Sequence, residues 1–237
     1  FPLLFLFYFY LLRGGFGLSF VENHKWGGLP LTILLAGVGI IISYPAGIIL
    51  ALGRRSTFKS ISVPITCYIE LIRGVPLISI LFMSSVMLPL FLPEEFAIDK
   101  LLRAQFAIIL FSAAYFAEVV RGGLQGLPPG QEEAAKALGL NYVQTQVHVI
   151  LPQALVHVIP PTVNTMIGML KDTSLVIVIA LFDLMGTAKS SLTDSNWLGF
   201  SIEAYLFIAV IYFIMCYSMG RFSKRVEEEF KLVKERK

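Results

Sequence analysis

The sequence is short of charge. Only 15% of its 237 residues are Asp, Glu, Lys or Arg, while 56% are hydrophobic. A soluble domain is about a quarter charged. The mean hydropathy is +0.76 and the apolar residues fall in long blocks. That excludes an ordinary soluble globule and points to an all-α, multi-span membrane protein. Cysteine is scarce as well. Cys67 and Cys216 both sit in apolar runs, so a disulfide framework is excluded and both read as small buried hydrophobes. His148 and His157 stand at no metal-ligand spacing from another His or Cys. No G-x-x-x-x-G-K-[ST] occurs, which excludes that phosphate-cradling loop from this sequence. Internal repeats and low-complexity segments are also absent.

What is there is a series of apolar runs at residues 1–12, 29–52, 61–92, 104–124, 155–186 and 199–221. The first is about half a span and the chain starts at Phe1, so the natural N terminus is expected upstream. Residues 29–52 carry no charge and reach about 36 Å as a helix, enough to cross a bilayer with some tilt. Gly37, Gly39, Gly47 and Pro45 in that run suggest close helix packing and a bend. Six crossings put both ends on one side. Lys and Arg divide twelve to five in favour of the side holding the loops at 53–60 and 128–152 and the C-terminal tail. The positive-inside rule makes that side cytoplasmic. Residues 1–28 are expected to end one span and connect to the next, 29–221 to form the transmembrane core, and 222–237 a charged helical tail. Within that tail Glu227 and Glu228 can pair with Lys231.

The 128–152 loop, PPGQEEAAKALGLNYVQTQVHVILP, has its own chemistry. Pro128, Pro129 and Gly130 break the chain, and Glu132 and Glu133 open a helix at its positive end. Ala134, Ala135 and Ala137 give a smooth face for close approach to another surface. Gly139 fits a C′ stop, Asn141 and Gln144 a capping box for a second helix, and Pro152 a break at the membrane's edge. The product is a stiff helix–turn–helix. It is either a plain interfacial cover or a handle that something outside the membrane grips.

Glu-Ala-Ala, three residues, Gly, nine residues, a branched aliphatic, one residue, Leu-Pro (Glu133, Ala134, Ala135, Gly139, Val149, Leu151, Pro152) resembles the EAA loop of ABC importer permeases. Val149 stands where that family usually has Ile. YIELIRGVPLI, AYFAEVVRGGLQGLPPGQEEAAKALG and MLKDTSLV resemble the polar amino acid branch, and LLRGGFGL before WGGLPLTILL is similar to the general L-amino acid permeases of Gram-negative bacteria. The resemblance runs from about Trp26 to the tail. It implies a type I ABC importer permease fold of about six transmembrane helices, with the loop as a coupling helix seated in an ATP-binding subunit. Glu133, Ala134, Ala135, Gly139, Leu140 and Pro152 would mark that contact. It also implies two ABC ATPase subunits that hold the ATP and Mg, a second permease (a homologue or a copy of this chain), a periplasmic amino-acid-binding protein and an L-amino acid cargo. No cofactor is expected in this chain, no metal site, no catalysis and no nucleic acid.

Ionisable groups at membrane depth are costly and need a partner or a task. Glu70 and Arg73, and Glu118 and Arg121, are each three apart and can pair on one helical face. The first two either anchor the break at Gly74 and Pro76 or act directly on substrate, and the second two pair with each other or with a neighbouring helix. Lys171-Asp172-Thr173-Ser174 falls mid-run. A break there would start a second half-helix whose free amides, with the Lys171 ammonium, favour a carboxylate while Asp172 meets an ammonium. The alternative is that Lys171 and Asp172 neutralise each other at a hinge. Asp183 and Glu203 receive no role. An ion-coupled transporter or channel acting alone competes with the permease reading. It explains the buried charges but not the loop.

Overall fold

The computed structural model describes residues 10–11, 14–17, 22, 25–91, 93 and 98–235, with side chains as far as Phe230. The expected partial span at 1–12 and the pairing with Lys231 lie outside the described residues and side chains. The described residues are mostly helical, without a strand beyond one isolated bridge, Gly28 to Asp183. The helices are α1 (Gly28–Arg54), α2 (Lys59–Arg73), α3 (Leu77–Phe91), α4 (Lys100–Gln125), α5 (Gly130–Ala137), α6 (142–157), α7 (Ile159–Asp172), α8 (Leu184–Ser191) and α9 (Ser201–Glu235). Four stretches are long and apolar enough to cross a membrane: α1, α4, α7 with its continuation to Ile179, and α9. The run expected as one crossing at 61–92 is two arms, α2 and α3, meeting at 103°. Gly74 and Pro76 sit in that corner, where proline cannot continue the preceding helix.

α1 and α4 form the most extensive helix pair. Gly47 permits it, because a Cβ there would come within 2.5 Å of the Phe116 Cβ. Gly123 does the same between α4 and α6, where a Cβ would meet Val158 at 2.4 Å and the Ala154 carbonyl at 2.8 Å. The interior divides along the α1–α4 seam. One half is bulky, with Leu34, Leu35, Leu81, Ile108, Phe116 and Met169. The other, at the end carrying the 126–157 loop, is built of smaller groups: Ala51, Ala117, Val120 and Ala154, with Ile69, Leu124 and Ile150. These two halves are the far end and the loop end below. α9 packs on α7 but buries almost none of its apolar surface within the chain. Cys67, expected buried, is exposed on α2, and Cys216 is half-buried.

Candidate functional site

The loop forms the expected helix–turn–helix. α5 has Glu132 and Glu133 in its first turn and stops at Gly139, whose φ is +78°. The Leu140 N–H reaches the Ala135 carbonyl at 3.2 Å and the Gly139 N–H the Lys136 carbonyl at 2.9 Å, the paired bonds of a Schellman stop. α6 then opens on the capping box. Asn141 Oδ1 accepts from the Gln144 N–H at 2.9 Å, and Gln144 Oε1 accepts from the Asn141 N–H at 3.0 Å.

Two expectations for the loop change. Pro152 does not break α6. A wide π-type turn at Thr145–Ile150 precedes it, which relieves the proline's clash with the carbonyl a turn earlier. The break comes instead at Val158 (φ −104°, ψ 9°), ahead of Pro160 and Pro161. Nor do the alanines share one face. Ala135 is buried against the body, while Glu133, Ala134, Ala137 and Gly139 are exposed, Leu140 is partly exposed and Leu138 is 81% exposed. The outward surface is therefore a patch of Ala134, Ala137, Leu138, Tyr142 and Val143 rather than an alanine stripe.

Side-chain bonds tie this loop to the body. Glu132 Oε1 accepts from Arg55 Nη2 at 2.9 Å and from Gln146 Nε2 at 3.1 Å, and Gln131 Oε1 accepts from Gln153 Nε2 at 3.1 Å. Arg55 follows directly on α1, so α5 is joined to α1 as well as to its own neighbour α6.

Above the loop lies a cluster of charges. Glu118, on α4, receives three guanidinium groups. Arg121 donates to Oε1 through Nε at 2.9 Å and also through Nη2, Arg54 Nη1 reaches Oε2 at 3.1 Å, and Arg73 Nη1 lies 3.3 Å from Oε2. Glu70 pairs with Arg54 Nη2 at 2.7 Å. The Glu118–Arg121 pair forms as the spacing predicts; the Glu70–Arg73 pair does not. Arg54 arrives at the end of α1 between the two carboxylates and takes Glu70, leaving Arg73 to α4. Sequence reasoning counted Arg54 and Arg55 only toward the charge bias and missed their roles. Two adjacent arginines closing an uncharged span were the available signal.

The segment 171–174 is corrected more strongly. No second half-helix starts there. α7 runs to Asp172 and tightens into a 3-10 helix, Thr173–Ile179, which ends at Ala180. The amides expected to be free are inside continuous helix. The Thr173 hydroxyl donates to the Leu170 carbonyl at 2.8 Å, so the polar side chain bonds within its own turn. The four residues diverge: Lys171 is exposed, Thr173 is fully buried and Ser174 is half-buried. Asp172 lines a cavity of about 240 Å³ between α4 and α7, with Ser112, Tyr115, Thr165, Gly168 and Met169. Among the described residues Lys171 and Asp172 form no ion pair with each other, so mutual neutralisation has no support. No group of three or more His, Cys, Asp or Glu that could hold a metal occurs among the described residues.

Asp183, given no role, is a fully buried carboxylate at the far end. It caps α8 by accepting from the Gly186 N–H at 2.8 Å and takes the Tyr212 hydroxyl at 3.1 Å. Burial pushes its carboxyl up from the usual range, against the pull of these bonds and the Lys189 charge.

Comparison with known proteins places this geometry in company. The family described as binding-protein-dependent transport system inner membrane component matches residues 43–228. The chain is 56% identical over 222 residues to the inner membrane amino-acid ABC transporter permease protein YhdY of Escherichia coli K12, covering 93% of this chain and 60% of that one. It is 46% identical over 215 residues to BztC of Rhodobacter capsulatus, a glutamate/glutamine/aspartate/asparagine transport system permease protein, covering 89% and 49%. It thus spans about half to three fifths of these two relatives. A crystal structure of an amino acid ABC transporter with histidines superposes with a TM-score of 0.74 at 32% identity, over 85% of this chain and 92% of that one.

Proposed function

The chain belongs to the family of binding-protein-dependent transport system inner membrane components, and on that premise we propose that it is the permease part of an ATP-driven importer of polar or general L-amino acids. The loop end faces the cytoplasm, in keeping with the charge bias of twelve to five. The exposed patch around Leu138 and Tyr142 is the seat for an ABC ATPase, which holds the ATP and Mg. Two such ATPases, a second permease of the same kind and a periplasmic amino-acid-binding protein complete the machine.

The observation that carries the reading is the loop's attachment. α5 is a short, capped helix whose Glu132 is bonded both to α6 and to Arg55 at the end of α1. A push on α5 therefore displaces α1, and α1 packs along α4, which forms one wall of the Asp172 cavity. ATP supplies the differential affinity of the ATPases for two arrangements of these helices. The 240 Å³ cavity is the cargo site. Asp172 meets the α-ammonium, Ser112 and Thr165 offer hydroxyls, and Lys171 and Ser174 flank it on the same segment. The names of the relatives above support the amino-acid class.

Reconstitution tests this. The assembled complex in vesicles, given its binding protein, should accumulate at least one L-amino acid only when ATP is present on the loop side. Uptake without ATP or ATPases would replace the reading with the ion-coupled one.

A further inference from the structure

The charge cluster beneath the cavity is unbalanced. Three guanidiniums (Arg54, Arg73, Arg121) face two carboxylates (Glu70, Glu118). The excess is not shared evenly. Arg121 holds Glu118 through two nitrogens, and Arg54 has both Glu118 and Glu70. Arg73 has one contact, at 3.3 Å. Its Nε–H is shut away from solvent with no hydrogen-bond partner, a costly state for a buried polar group. The Nε–Nη2 edge, the one that grips a carboxylate with two parallel bonds, makes no hydrogen bond among the described residues.

This same guanidinium lies 5.9 Å from the centroid of the Tyr115 ring, and Tyr115 lines the Asp172 cavity. Tyr115 and Glu118 are three apart on α4, so cavity wall and charge cluster are successive turns of one helix. Arg73 is also the last residue of α2, directly before the 103° corner. A change at that corner moves the guanidinium relative to α4.

We propose that Arg73 is a transit site for the cargo's carboxylate, between the Asp172 cavity and the loop side. In the arrangement described here the site is closed, with Tyr115 on the guanidinium and the Nε–H shut from solvent. When the α2–α3 corner moves, the carboxylate takes the free edge while Glu118 keeps its hold from Arg121 and Arg54. The leaving amino acid thus meets a positive charge that its neighbours have not neutralised. The inference rests on the permease reading above.

The test uses the complete transporter in vesicles with its binding protein and ATP. The probe is whichever of the common L-amino acids the wild type takes up fastest. Arg73→Gln keeps amide donors and removes the charge. It should lower uptake about tenfold or more, the loss of one charge-assisted hydrogen bond, while binding-protein-stimulated ATP hydrolysis stays within about twofold. Arg73→His should show uptake that climbs severalfold relative to wild type as the loop-side pH falls from about 7.5 to about 5.5, since an imidazole regains its charge near 6.5. Wild-type uptake by Arg73→Gln overturns the proposal. So does a flat ratio for Arg73→His, which decides alone if the glutamine variant does not assemble. A wild type that takes up no L-amino acid with ATP removes the permease reading itself, and this inference with it.

Discussion

The two ends of the molecule are held by different kinds of bond. At the loop end, ion pairs cross between helices: Arg54 with Glu70 and Glu118, Arg73 with Glu118, and Arg55 with Glu132, while Arg121 holds Glu118 within α4. They sit over a core in which alanines and a valine alternate with Ile69, Leu124 and Ile150. At the far end Asp183 has hydrogen bonds and no ion pair among the described residues. The Leu184 N–H donates to Thr32 Oγ1 at 3.0 Å, and the Gly28 N–H reaches the Phe182 carbonyl at 2.9 Å and Thr187 Oγ1 at 3.0 Å. Those bonds lace α1, α8 and α9 over a core of bulky groups. The lesson is one of exchange. A guanidinium sharing a carboxylate with two others can release it without leaving that carboxylate bare, so the loop end can change partners. The far end offers Asp183 no spare partner and suits a fixed anchor.

The largest effect should follow removal of the hub. Glu118→Gln leaves three partly buried guanidiniums short of their shared carboxylate and should destabilise by about 3 kcal/mol, the lower end for breaking a buried pair. Thermal unfolding of the purified assembly reads this out. A cost no greater than that of changing Asp183 would erase the contrast between the ends.

At the far end the sign of the charge effect is opposite. Burial raises the Asp183 carboxyl's affinity for its proton. The folded state then prefers the neutral form, and wild-type stability falls as pH rises from the ordinary carboxylate range through the raised value. Asp183→Asn keeps the helix cap, since Asn and Asp cap about equally, and removes that slope. It should lie within about 0.5 kcal/mol of wild type at neutral pH, whereas Asp183→Ala should lose about 2 kcal/mol with its cap and the Tyr212 bond. Unfolding temperatures for the three proteins at acid and neutral pH check both statements. A steep pH slope surviving in Asp183→Asn would assign it to another group.

The same contrast governs what could be read in the sequence. The loop was legible because its stops are local: Gly139 must take a positive φ, and Asn141 and Gln144 cap each other across one turn. The apolar runs gave α1, α4 and α9 for a similar reason, since length and hydropathy are properties of a single segment. Ion pairing is not local. The spacing of Glu70 and Arg73 allowed a bond that Arg54, sixteen positions before Glu70, took instead. The break expected at Lys171–Ser174 failed because polarity alone does not interrupt a helix. Thr173 bonds its own turn, and Asp172 opens onto a cavity that only α4, far away in sequence, completes. Pro152 misled for the opposite reason: a wide turn just ahead of it absorbs its missing N–H.

The smallest effect on stability, and the most direct probe of movement at the loop end, belongs to Arg55 and Glu132. Their side chains are 34% and 32% exposed, so the pair is worth no more than about 1 kcal/mol to the fold. Its value lies in joining α5 to α1. Arg55→Glu sets two carboxylates against each other and should raise the ATP hydrolysed per solute moved about threefold, with unfolding temperature nearly unchanged. Reversing both charges, Arg55→Glu with Glu132→Arg, should bring the ratio back. The arginine placed at 132 would also stand beside Gln146, whose Oε1 is buried without a hydrogen-bond partner. If the single reversal leaves the ratio where it was, α5 moves the membrane helices through α6 alone. The charges at this end would then be ornaments on a rigid block, no more exchangeable than the bonds around Asp183.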